Sequence, residues 1–164
     1  MKNGNLIVLA GPAGCGKSSW AEALPDIPKV SSDAIREELF GDENAQLDPS
    51  LVFSTAYERA KALLDEGRSV IFDATNCRKI YRKNLLYEVG AHAGKKICVV
   101  YGGSLETCLK QNVQRERTVP ERVVKGMYFG LRKDPPTTEE GFDMIFKLDP
   151  DSATIVSLIE KSRE

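Results

Sequence analysis

A short apolar run, Asn5 to Ala10 (NLIVLA), leads without a break into Gly11-Pro12-Ala13-Gly14-Cys15-Gly16-Lys17-Ser18. The octet fulfils G-x-x-x-x-G-K-[ST], and it stands where its mechanism needs it, between a buried strand and a helix expected over Lys17–Leu24. A strand that is apolar along its whole length is covered on both faces, which is the habit of parallel sheets. Glycines at 11, 14 and 16 let the backbone turn several N–H groups inward toward an anion. The helix beginning near Lys17 adds the positive end of its dipole. These features lead us to expect a nucleotide's phosphates on Gly11, Ala13, Gly14, Cys15, Gly16, Lys17, Ser18 and Ser19. Lys17 is expected to reach the β- and γ-phosphates and Ser18 to ligate Mg2+. The alternative is a chance glycine-rich turn, which gives no reason for strand, turn and helix to fall in this order.

The alternation continues along the chain. Lys29–Ser31, Ser69–Phe72, Ile97–Tyr101 and Phe142–Leu148 read as further strands. Helices are expected from Ser32 or Asp33 to Phe40, and over Leu51–Glu66, Lys79–His92, Leu105–Arg115 and Pro120–Arg132. A weak terminal helix is expected over Ala153–Lys161. Ser32 or Asp33 is the expected N-cap of the second helix. Ile80, Leu85, Leu86 and Val89 are the expected inner face of the 79–92 helix. Such alternation implies right-handed crossovers and the α/β class. The expectation is a P-loop NTPase fold: a central parallel sheet of about five strands, helices on both faces, and a helical lid near residues 112–133. Residues 1–164 make one domain-sized unit. With 41% hydrophobic and 29% charged residues, the chain is neither collagen-like nor wholly disordered. Its longest apolar runs are too short to span a bilayer. The strand-like segment at Asn5 leaves no room for a signal peptide, so a cytoplasmic location is expected.

Ligands of parallel sheets collect at the carboxyl ends of the strands. Asp33 and Asp73 both follow such ends. Ser69-Val70-Ile71-Phe72-Asp73 is an apolar strand ending in a carboxylate, a loose Walker B pattern that can hold Mg2+ directly or through water. Asp33 either orients an acceptor hydroxyl and takes its proton, or caps its helix, or does both. Arg36, three residues on, either grips a phosphate or carboxylate on the acceptor or is an exposed helix arginine. Arg115 and Arg117, before the Pro120 helix, are either lid arginines that neutralise the moving phosphoryl group or solvated charges in a turn.

Formal charge is near balance at −1, but it is unevenly spread. Residues 1–75 carry 7 basic and 12 acidic groups, residues 76–133 carry 13 and 4, and residues 134–164 carry 3 and 8. A basic middle block suits an anionic ligand. Within it, Arg78, Lys79, Arg82 and Lys83 can track a nucleic-acid backbone, and Tyr81 or Tyr87 can stack a base. Cys15, Cys77, Cys98 and Cys108 form no C-x-x-C pair, which argues against zinc and for reduced thiols. Cys15, among inward N–H groups and near Lys17, is either an activated thiolate or a loop filler with its sulfur turned away. His92, the only histidine, is not expected to be a catalyst.

Taken together, GPAGCGKS at 11–18, SSDAIR at 31–36, FDATN at 72–76 and the N-x-x-R-x-R-x-V-P run from Asn112 to Pro120 resemble the kinase module of phage-type and bacterial polynucleotide 5′-kinases. The likeness extends over roughly residues 5–148. It implies that Lys17 and Ser18 serve an ATP or GTP donor with Mg2+, and that Asp33 is the general base toward a 5′-hydroxyl. It also implies that Arg36 binds the acceptor's nearby phosphate and that Arg115, with Arg117, serves the donor phosphates. The family's Asp-Thr-Asn is here Asp73-Ala74-Thr75-Asn76, one residue longer. Nucleic-acid 5′ ends would be the partners, with no membrane. Two other readings stay open: a kinase of a sugar, nucleoside or antibiotic hydroxyl, and a nucleotide-binding switch that hydrolyses NTP slowly.

Overall fold

The computed structural model describes residues 3–43, 45–115, 118–150 and 154–160, with the backbone alone at Ser18 and over 154–160. Its strands are β1 (Leu6–Ala10), β2 (Lys29–Ser31), β3 (Val70–Asp73), β4 (Lys96–Tyr101), β5 (Met144–Asp149) and β6 (Thr154–Glu160). Its helices are α1 (Lys17–Glu22), α2 (Ser32–Phe40), α3 (Pro49–Asp65), α4 (Lys79–Val89), α5 (Leu105–Val113) and α6 (Glu121–Lys133). The sheet runs β2-β3-β1-β4-β5-β6. Its first five strands are parallel, as the alternating pattern requires, and β6 is antiparallel to β5.

β6 occupies the segment for which a terminal helix was expected. The Thr154-Ile155-Val156 run is β-branched, and β5 offers it an open ladder of backbone groups, so pairing overrides the weak helical pattern. No helix among the described residues is long and apolar enough to cross a membrane.

β1 lies at the centre and sends alternate side chains to opposite faces. Leu6, Val8 and Ala10 join Ile35, Val52, Ala56, Leu64, Phe72 and Leu85 on the face covered by α2, α3 and α4. Leu9 joins Ala21, Ile71, Val99 and Leu148 on the other, with Trp20 of α1 packed against them. Both faces being buried explains why these strands read as unbroken apolar runs.

Two helix details differ from the sequence reading. The cap of α2 is Ser31, whose Oγ accepts the Ala34 N–H at 3.2 Å, so neither Ser32 nor Asp33 fills that role. In α4 the inward stripe is Arg82, Leu85 and Val89, while Ile80 is 53% exposed. Apolarity alone picked the wrong residue, because Arg82 has a buried partner in Glu140.

Candidate phosphate-binding and transfer site

The β1–α1 loop is built on left-handed glycines, Gly14 at φ 81° and Gly16 at φ 89°, a backbone that L side chains rarely adopt. A Cβ on Gly14 would fall 2.7 Å from Asn112 Oδ1, and one on Gly16 would strike the Gln111 side chain. At Gly11 a Cβ would fall 2.8 Å from Tyr101 Cβ, and the Gly11 N–H is held by the Thr75 carbonyl at 2.8 Å. α1 starts directly from Gly16, so its first N–H groups face the loop's interior.

A cavity of about 860 Å³ opens at the carboxyl ends of β1, β2 and β3. Ala13, Gly14, Gly16, Lys17 and Ser19 line its donor end, with Asp73 beside them. Lys17 is 9% exposed, and its Nζ lies 4.0 Å from Asp73 Oδ1. Asp73 is the carboxylate that would hold Mg2+, a cation that takes one or two carboxylates together with phosphate oxygens and water. Its place beside the phosphate loop fits that chemistry. The Ser18 side chain and Arg117 lie outside the described residues.

Arg115 lines the same cavity, and its Nη1 lies 3.0 Å from where a Gly14 Cβ would stand. Its loop is stapled at the base by Asn112, 2% exposed, which donates to the Val119 carbonyl at 2.7 Å and accepts the Val119 N–H at 3.1 Å. α6 closes over the loop where the Ala13 N–H meets the Met127 sulfur at 3.5 Å.

At the other end of the cavity stand Asp33 and Arg36. Arg36 Nη1 donates to Asp33 Oδ1 at 2.9 Å, with the Asp33 side chain 51% exposed and that of Arg36 15%. The Arg36 guanidinium also lies 5.8 Å from the centre of the Phe53 ring. Phe53, Tyr57 and Phe72 follow at 6.3 and 6.0 Å between centroids, and all three line the cavity. Burial, and then the nearby Glu88 carboxylate, hold the Tyr57 hydroxyl above its ordinary pKa.

Of the two readings of Cys15, the structure bears out the one with its sulfur turned away: it is 1% exposed and packs with Tyr101, Cys108, Val124 and Tyr128. Its sulfur meets that of Cys108, with the two Cα atoms 4.5 Å apart, within the range a disulfide spans. In the basic block Arg78, Lys79 and Lys83 are exposed, but Arg82 cannot track a backbone. Arg82 is buried against Glu140, Lys110 and Lys125 pair with Glu106 and Glu121 on their own helices, and Arg132 lies over Tyr128. His92 binds Asp65 at 2.8 Å and lies off the cavity lining.

Sequence reasoning overlooked the Asn112 staple, the Phe53–Tyr57 wall and the role of Asn76. Only Asn76 carried a local sign, as the last residue of Asp73-Ala74-Thr75-Asn76. Its Nδ2 donates to the Leu9 carbonyl at 2.8 Å.

A glycine cradle, an invading lysine, a strand-end aspartate and a second carboxylate lining the same cavity, set on a 2-3-1-4-5 parallel sheet, define the P-loop fold with a candidate phosphate-binding site. Over residues 6–133 the chain matches the AAA domain family AAA_33, and it belongs to that family. It is 26% identical over 148 residues to L-seryl-tRNA(Sec) kinase of Methanococcus maripaludis, a match covering 85% of this chain and 56% of that one. The chain thus spans little more than half the length of that curated relative. Among solved structures, it is similar to a chain of the Pnkp1/Rnl/Hen1 RNA repair complex at a TM-score of 0.72 and 21% identity, covering 99% of this chain and 50% of the other. A gluconokinase from Sinorhizobium meliloti 1021 gives 0.60 and 19%, covering 93% and 89%. At these identities the structural likeness is one of fold.

Proposed function

We propose that this protein is an NTP-dependent polynucleotide 5′-hydroxyl kinase, transferring the γ-phosphate of ATP or GTP to a 5′-OH end of RNA or DNA. The observation that carries the reading is Asp33. It lines the cavity opposite the phosphate loop, its carboxylate is half exposed, and Ser31 has relieved it of the capping role. A nucleotide switch needs no carboxylate at that position, whereas a kinase needs one to accept the acceptor's proton.

In the reaction Asp33 takes the proton of the 5′-hydroxyl as its oxygen bonds to the γ-phosphorus. The bond to the bridging oxygen breaks, the nucleoside diphosphate leaves, and the proton passes from Asp33 to water. The loop N–H groups, Lys17, Arg115 and Arg117 bear the charge on the donor phosphates, and Ser18 and Asp73 would hold Mg2+, which would supply further charge neutralisation there. Arg36 holds both Asp33 and the acceptor's adjacent phosphate. Phe53 and Tyr57 offer apolar surface to a nucleoside, on which a polyol's hydroxyls would go unpaired. Nucleic-acid 5′ ends are then the partners, in cytoplasmic nucleic-acid repair.

One observation favours a small nucleoside-like acceptor instead: Arg82, one of the four residues expected to track a nucleic-acid backbone, is buried against Glu140. The test supplies γ-labelled ATP or GTP together with 5′-hydroxyl RNA and DNA oligonucleotides, and separately with nucleosides and sugars. Labelled oligonucleotide supports the proposal. Label confined to a small molecule overturns it in favour of that second reading, and free phosphate alone overturns both.

A further inference from the structure

Behind the phosphate loop lies a charged side chain that the transfer reaction never touches. Arg82 is wholly buried, as is the Glu140 side chain, and the two meet fork to fork. Nε donates to Oε2 at 3.0 Å and Nη2 to Oε1 at 2.7 Å. The guanidinium has two further partners. Nη1 donates to the Asn76 carbonyl at 3.1 Å, and Nη2 to the Asp134 carbonyl at 2.7 Å. Stability alone is a poor reason for such a group, since apolar residues of similar volume often serve a buried position as well or better. Its four bonds fix geometry instead, and the groups they fix matter.

Asn76 is left-handed at φ 47° and 5% exposed, and its amide donates to the Leu9 carbonyl. One residue earlier, the Thr75 carbonyl receives the Gly11 N–H. The loop that Arg82 grips is therefore laced to Leu9 and Gly11, where β1 gives way to the phosphate cradle. That same loop begins at Asp73, the partner of Lys17. On its other side Arg82 holds Asp134, which ends α6 and whose carboxylate accepts the Lys79 N–H at 3.2 Å. α6 in turn touches the cradle through Met127.

We propose that Arg82, fixed by Glu140, is a positioning residue for nucleotide binding: it sets the 73–76 loop against the start of the phosphate cradle and anchors the end of α6. The acceptor plays no part in this, so the test reads nucleotide affinity, and it stands or falls separately from the 5′-kinase reading.

The experiment compares the wild type with R82M/E140L, an apolar pair of similar volume. Melting temperature is measured alongside the dissociation constant for ATP or GTP, whichever the wild type binds more tightly. The expected result is a melting temperature within about 4 °C of wild type, a small shift for a domain of this size, with affinity weakened at least about tenfold. Wild-type affinity in the folded double variant overturns the proposal, because the pair would then be packing only. Should the double variant not fold, R82K and N76A carry the test. Lysine keeps the charge but lacks the planar fork. If Arg82 acts through Asn76, the affinity losses of R82K and N76A do not multiply in the combined variant. Independent multiplication of the two losses overturns the proposal.

Discussion

The two ends of the cavity are made of different material. The donor end is mostly backbone: left-handed glycines, N–H groups at the start of α1, and a single buried lysine beside one carboxylate. The acceptor end is side chains carried by separate elements, with Asp33 and Arg36 from α2 and Phe53 and Tyr57 from α3. A backbone cradle binds any nucleoside triphosphate and leaves little freedom in sequence. A side-chain wall can be rewritten without disturbing the sheet.

If the two ends act separately, their variants should fail in separate ways. Lys17→Ala should show the largest effect, with phosphoryl transfer falling to background, a loss of about 10³- to 10⁵-fold, the worth of a cation on the transferring phosphoryl group. Its circular dichroism and cooperative unfolding should remain those of the wild type, because Lys17 serves phosphates rather than the core. Near-normal turnover would break the donor assignment.

Asp33→Asn should lose on the order of 10²- to 10⁴-fold in transfer while binding ATP as tightly as wild type. Calorimetric affinity and single-turnover rates on the same preparation decide this. Transfer at the wild-type rate would leave Asp33 only an ion-pair partner for Arg36. Arg36→Ala is a smaller change, raising the KM for a 5′-hydroxyl oligonucleotide by about tenfold, the worth of a charge-assisted hydrogen bond. Steady-state kinetics with and without a phosphate next to the terminal nucleoside would show whether the phosphate is what Arg36 grips.

The smallest effect concerns Cys77, behind the cradle. Burial pushes its thiol up to about 11 from an ordinary 9.0, with Lys17 and Arg82 opposing. The native chain therefore keeps this proton over a range where the unfolded chain releases it. Between pH 9 and 11 the unfolded state binds fewer protons, so stability falls as pH rises. Chemical denaturation at pH 8 and pH 10.5 should show a smaller loss in Cys77→Ala than in wild type. Equal losses would mean the thiol is open to water.

What could be read from the chain alone follows the same division. The octet at 11–18 is contiguous, and its flanking strand and helix are local, so the glycine loop between β1 and α1 was legible from one stretch of residues. Asp33 and Arg36 were visible because three residues along a helix keep two side chains on one face. The five parallel strands were legible because each is a short apolar run bounded by helical patterns.

Tertiary structure decided the rest, because the decisive partners lie far apart in sequence. Arg82 turns inward only because Glu140, 58 residues later, is waiting to pair with it. Asn76 closes on Leu9 across 67 residues, and Cys15 meets Cys108 across 93. Ser31 could have ended β2 without capping α2, and only the placement of its hydroxyl against Ala34 relieves Asp33 of the cap. β6 became a strand because β5 presented an unpaired edge, which no local propensity records. Sequence determined the groups with short-range causes: turns, periodicities and the phosphate cradle. Long-range burial and pairing decided which charges stay free to act, since a charge is available only when no distant partner has claimed it.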